Sequence, residues 1–186
     1  MKKKLGAISI VMSSLTYLYL FILINTGTGE GVSLSTYGLW AVLAWIAGIS
    51  MKKQELDSRI VFVGAVGTTI ITVALLFKKR FEWTDMDSAV SALTVLCMIL
   101  WKTRGSKCAF IFSVLAGAIA SIPFVVMTWK DPSKSPIVPN TCFLMTFIVY
   151  LFSVNSPKME DRLVPAVNVI VGLLLVVPAV VWSAFG

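Results

Sequence analysis

The sequence has no histidine, only nine acidic residues and only three cysteines in 186 positions. Without histidine, the side chain that titrates near neutrality and the commonest metal ligand are both missing. Charged residues make up 13% of the chain, about half the ~25% of a soluble globular domain. Cys97, Cys108 and Cys142 are odd in number and lack metal-type spacing. They offer neither a disulfide framework nor a zinc site, and read as small apolar packing residues. No nucleophile–base pair is visible, so the sequence does not read as an enzyme, and no cofactor is implied. The one enzymatic reading left open is a lipid-modifying site at Asp85 and Asp87.

What the sequence has in abundance is apolar surface. Hydrophobic residues make up 58% of the chain, and the mean hydropathy is +0.89. With so much of it, the solvent of the folded chain must be lipid. A helix crossing the hydrocarbon needs ~20 mostly apolar residues. Seven runs qualify, at 5–24, 34–51, 60–77, 85–101, 108–128, 137–154 and 163–185. They are continuous and do not alternate, which predicts helices and not a barrel. The run after MKKK is longer than a signal-peptide core and leads into NTGTGEG without a small-x-small site. It reads as an uncleaved first span.

The basic residues are unevenly spread. With seven spans, one side collects Lys2, Lys3, Lys4, Lys52, Lys53, Arg59, Lys102, Arg104, Lys107, Lys158 and Arg162, and the other only Lys78, Lys79, Arg80, Lys130 and Lys134. The positive-inside rule then places the N-terminus in the cytoplasm and the C-terminus outside. These loops account for most of the net charge of +7, so nucleic acid is not needed as a partner. The lipid bilayer is. The sequence does not choose between monomer and homodimer.

The stretch TWKDPSKSPIVPNT, residues 128–141, is a stiff polar corner between two apolar runs. Proline fixes its own φ and biases the residue before it away from helix. A softer corner, NTGTGEGVSLST, follows the first span, and each corner leads to a span, a short charged loop (MKKQELDSR, NSPKMEDR) and a further span. A shift of 104 residues superposes the two units, carrying Ser35 onto Pro139 and Asp57 onto Asp161. The expected organisation is a three-helix repeat at 1–78, a linker helix at 79–105 and a second three-helix repeat at 106–186. An offset of four spans makes the repeats parallel, and transporters built this way hold substrate near the midplane.

This three-plus-one-plus-three pattern with proline corners resembles the PQ-loop/SWEET superfamily, which includes sugar facilitators, PnuC-type vitamin transporters and KDEL receptors. The stretch SIPFVVMTWKDPSKS resembles the end of a first repeat helix and its PQ loop, and TYGLWAVLAWIAG resembles the aromatic second helix. The likeness is nearest to small bacterial seven-helix membrane proteins with a W-x-x-P-x-x-S corner, here Trp129, Pro132 and Ser135; a PnuC-like branch is the other reading. The PQ dipeptide itself is absent, since Phe124 follows Pro123. The resemblance implies a facilitator of the bacterial cytoplasmic membrane that moves a small polar solute by alternating access. Its alternative is a receptor or adaptor of the same fold, binding a partner through Lys130, Asp131 and Lys134.

No Lys, Arg, Asp or Glu lies in the middle of a predicted span. Ion-driven transport ordinarily needs such groups, so their absence favours passive facilitation. Asn168 stands inside the seventh span and resembles a substrate-contacting asparagine of the SWEET third helix; its other reading is an interhelical hydrogen bond. Trp45 resembles the tryptophan flanking the sugar site, and Tyr150 holds nearly the matching place in the second repeat. Tyr17 and Ser121 complete the expected substrate set. Pro123, Pro132, Pro136 and Pro139 are the expected hinge and gate positions. Trp83, Trp101, Trp129 and Trp182 lie near span ends and read as an interfacial belt. Asp87 with Ser91 and Thr94 forms either a polar stripe or, with Thr84, a capping box. Gly64, Gly67, Ala116, Gly117, Ala118 and Ala120 read as positions of close helix packing.

Overall fold

Helices stop in this chain where charge, proline or glycine stops them. The computed structural model describes residues 2–26, 34–78, 85–154 and 158–185, and all its regular elements are helical. They are α1 (Lys2–Thr26), α2 (Leu34–Lys53), α3 (Arg59–Phe77), α4 (Asp85–Arg104), α5 (Ser106–Ala120), α6 (Ile122–Lys130), α7 (Ile137–Ser153) and α8 (Met159–Phe185). The span expected at 108–128 is α5 and α6 together, interrupted by a turn at Ser121. Pro123 explains the interruption: it has no N–H to offer the carbonyl of Ile119, so the ladder lapses there. Counted as one, α5 and α6 bring the helical segments of span-like length to seven among the described residues.

Among the described residues, four segments are long and apolar enough to cross a membrane: Lys2–Thr26, Arg59–Phe77, Ser106–Lys130 and Met159–Phe185. A fifth apolar helix, Ile137–Ser153, has 17 residues, the lower end of the range of about 17–25 for a span. Large apolar side chains stand on the outer faces of these helices, among them Leu15 and Leu18 on α1 and Leu173 and Val181 on α8. Such faces suit lipid and not water.

The helix ends carry their own chemistry. α2 closes with Glu55 in the left-handed region at φ 57°. The N–H of Leu56 bonds the carbonyl of Met51 at 3.0 Å and that of Glu55 bonds Lys52 at 3.2 Å, the pair of bonds that defines a Schellman cap. Met51 and Leu56 are both buried, as the apolar pair of that cap should be. α4 and α5 are joined by Gly105 alone, at φ +84° with open space around it. Only the backbone angle requires glycine there.

The chain forms two compact units. The first comprises 1–31 and 121–186, and the second comprises 32–120. These cuts differ from the 1–78, 79–105 and 106–186 division that the repeat suggests. In the first unit α1 packs on α7, α7 on α8, and α6 on α8. The face that α1 buries carries Gly6, Ser9, Ser13, Thr16, Leu20 and Ile24, spaced three and four residues apart as one helix side requires. In the second unit α2 packs on α3, α5 and α4, and α4 also packs on α5. The core there joins Leu43, Ile46, Val90, Cys97, Ala109 and Ala116, so α4 is a packed member of its unit.

Candidate functional site

Hydroxyls inside apolar helices must find partners, because an unbonded polar group in a dry environment is costly. Most of them here turn back on their own helix. Thr16 donates to the carbonyl of Met12 at 2.8 Å and Ser9 to Gly6 at 2.8 Å. Thr68, Thr69 and Thr72 donate to Gly64, Ala65 and Thr68. Thr94 donates to Val90 and Thr146 to Cys142. This back-bonding is the ordinary local habit of Ser and Thr. It leaves the oxygen's lone pairs, and not its proton, to face a neighbour or a solute.

Asn168 does the same. Its side-chain N–H donates to the carbonyl of Val164 at 2.9 Å. The residue is half-buried on α8, and its amide oxygen has no hydrogen-bond donor among the described residues. Tyr150 is almost wholly buried on α7, and Tyr17 is half-buried on α1 beside the buried Thr16. Ser121 is buried at the interruption of the fifth span. These four belong to the first unit.

Trp45 belongs to the second. It is 39% exposed, its indole N–H donates to the Thr69 hydroxyl at 3.2 Å, and its ring meets Phe62 edge-on at 5.8 Å. Thr69 in turn donates to Ala65 at 2.7 Å. The result is a relay from α2 to the backbone of α3, a helix clasp that already occupies the indole donor.

The four expected hinge prolines lie at breaks or first turns. Pro123 sits at the start of α6 and Pro132 opens a 3-10 turn over Pro132–Lys134. Pro136 is the N-cap of α7, and Pro139 is buried in its first turn, where no N–H is needed. The corner is tied to itself: Ser133 donates to the Asp131 carboxylate, and the Asn140 side chain donates to Ser135 at 3.1 Å. Thr84 and the side chain of Asp87 lie outside the described residues, as do Trp83 and the side chain of Trp101. Residues 27–33, within the first corner, lie outside them too.

One contact was not legible as a motif. Pro178 stands inside α8 and has no N–H, so the carbonyl of Leu174 lacks its helical donor. The indole N–H of Trp129 on α6 donates to that carbonyl at 2.9 Å. The sequence signal was a proline four residues past a carbonyl deep in a span, which obliges some other donor to arrive. Beside this bond lies an open apolar groove of about 370 Å³, walled by Trp129, Pro132, Pro178 and Trp182 among others. None of Trp45, Tyr150, Asn168, Tyr17 or Ser121 lines it.

No family model matches this chain, and neither a curated protein nor a solved structure does.

Proposed function

We propose that this chain is an integral membrane facilitator of the PQ-loop/SWEET kind, with seven spans and a cytoplasmic N-terminus, that moves a small polar solute by alternating access. The two three-helix copies at 1–78 and 106–186, and the linker helix at 79–105, are part of that reading. One observation carries it. The first unit buries a run of uncharged polar groups on apolar helices: Ser9, Ser13 and Thr16 on α1, and Asn140 and Thr146 on α7, the helix that also carries Tyr150. Such groups can exchange hydrogen bonds with a neutral hydroxylated or amide-bearing solute at little desolvation cost. The carboxylate this unit buries, Asp161, lies in the first turn of α8 and not in the middle of a span, whereas an ion-coupled carrier would suit a charged lining within the spans.

Asn168, with an unengaged amide oxygen, accepts a solute donor in this reading, and Tyr150 supplies a rigid ring face. Tyr17 and Ser121 complete the substrate set in this reading. Trp45 is the residue whose role the geometry least favours, because its donor is already taken by Thr69.

Uptake into proteoliposomes, measured with labelled sugars, nucleosides and vitamins, tests the proposal. One solute should equilibrate faster than in empty liposomes, stop at equal concentration on both sides, and ignore imposed proton or sodium gradients. Asn168→Ala should slow it. If no solute enters above the empty-liposome rate, the facilitator reading falls; accumulation driven by a gradient would overturn the passive mechanism.

A further inference from the structure

The bond from Trp129 to Leu174 joins residues 45 positions apart, whereas bonds such as those from Asn168 to Val164 and from Thr146 to Cys142 close within one helix turn. Its acceptor is a backbone carbonyl that a proline has stripped of its normal donor. The clash of a proline ring with the carbonyl four residues back also tilts that carbonyl outward, where a side chain from another helix can reach it. In hydrocarbon, no water replaces a lost donor.

We propose that Trp129 is a latch on α8, closing the gap that Pro178 opens in its ladder and holding the helix in one bend. Trp129 is the next-to-last residue of α6, and the corner 131–136 follows directly. The latch therefore ties that corner to the last span. Closed, it satisfies Leu174. Open, it leaves that carbonyl bare and frees α8 to flex at Pro178. Two features make opening feasible without repacking a core. Trp129 is 55% exposed, and the groove beside it gives the ring empty space to enter. A donor, an acceptor and a missing N–H make the latch, whether or not the chain carries a solute.

A double-mutant cycle in purified, detergent-solubilised full-length protein tests it. Trp129→Phe keeps the ring and removes the donor. Pro178→Ala restores an N–H that can reach Leu174 within the helix. Trp129→Phe should lower the thermal midpoint by about 2–4 °C in the parent protein, the shift a chain of this size shows on losing one good interaction. In the Pro178→Ala background the same change should move it by less than about 1 °C, because the acceptor is already served. Equal losses in both backgrounds, or no loss in the parent, would overturn the latch. Hydrogen exchange gives a second readout that does not depend on the Pro178→Ala variant being recovered. Amides at 177 and 179–182 should exchange several-fold faster in Trp129→Phe, and unchanged exchange there also overturns the proposal.

Discussion

Gly172 of α8 lies against Leu144 of α7 so closely that a methyl group on the glycine would fall 3.1 Å from the leucine Cβ and 3.2 Å from its Cα. Those atoms are tied to the backbone and cannot swing aside. Gly117 on α5 is the opposite case, with nothing within 4 Å of the same position.

The two glycines therefore predict opposite outcomes for one substitution. Alanine gains up to about 1 kcal/mol over glycine in a helix interior, and Gly117→Ala should raise the thermal midpoint accordingly. Gly172→Ala meets overpacking, which costs about 1–3 kcal/mol, and should lower the midpoint despite the same propensity gain. Melting curves of the two variants in one detergent check this. A rise for both would mean that α7 and α8 can separate freely at Leu144.

Glu55 holds a left-handed backbone angle that strains an L side chain by roughly 1–2 kcal/mol. Its two cap bonds are made by backbone alone, so the side chain can be removed without loss of the cap. Glu55→Gly should raise the midpoint by about 2–4 °C, and Glu55→Val should lower it. A neutral Glu55→Gly would show that the angle is relaxed in solution.

Arg59 grips Asp57 with two side-chain bonds, at 2.9 and 2.7 Å. The hydrogen bonds from Arg59 hold the Asp57 carboxyl below its ordinary value. A depressed carboxylate contributes stability above its unfolded pKa, near 3.9, and loses it as the pH falls through the folded value. The arginine side chain is 66% exposed and the aspartate 38%, so solvent screening limits the pair to at most about 1 kcal/mol. Asp57→Asn should thus destabilise slightly at pH ~7, and the penalty should shrink as the pH falls through the folded value. A penalty independent of pH would rule the ion pair out as its cause.

The clasp from Trp45 to Thr69 predicts non-additive losses. Trp45→Phe removes the indole donor and keeps the edge contact with Phe62, while Thr69→Val removes the acceptor. Each should cost about 0.6–2 kcal/mol, the worth of a helix–helix hydrogen bond in a membrane protein, and the double variant should cost little more than either. Fully additive losses would show that the two side chains act apart.

The sequence marked helix ends well where the chemistry at the end is abrupt. The run expected at 60–77 is α3 at Arg59–Phe77, and that at 137–154 is α7 at Ile137–Ser153, because charge or proline bounds both. α8 begins earlier than 163, at Met159, since Glu160 and Asp161 suit the first turn of a helix. Residues 102–107 shrink from an expected loop to the single link Gly105, whose positive φ lets two helices meet with nothing between them.

Pairing was far less legible. Helices that are apolar on nearly every side carry little directional signal, so nothing marked α7 as the neighbour of α1, or α4 as part of the core with Leu43 and Cys97. The small-residue stripe at 116–120 divided in the same way: Ala116 and Ala120 are core, and Gly117 faces open space. Of the expected site residues, Asn168 and Trp45 were visible as polar or aromatic oddities. That one Asn168 amide N–H goes to Val164 and the Trp45 indole N–H to Thr69 depends on rotamers and neighbours, which spacing alone does not encode.

The pairing of α1 with α7 also bears on how the molecule is made. A ribosome delivers α1 first and its partner only after five further helices have emerged. During that wait the serine and threonine side of α1 stands unmatched in the bilayer. Ser9 and Thr16 already bond carbonyls of their own helix, so two of the three hydroxyls on that side can linger in lipid without offering a proton to the wrong neighbour.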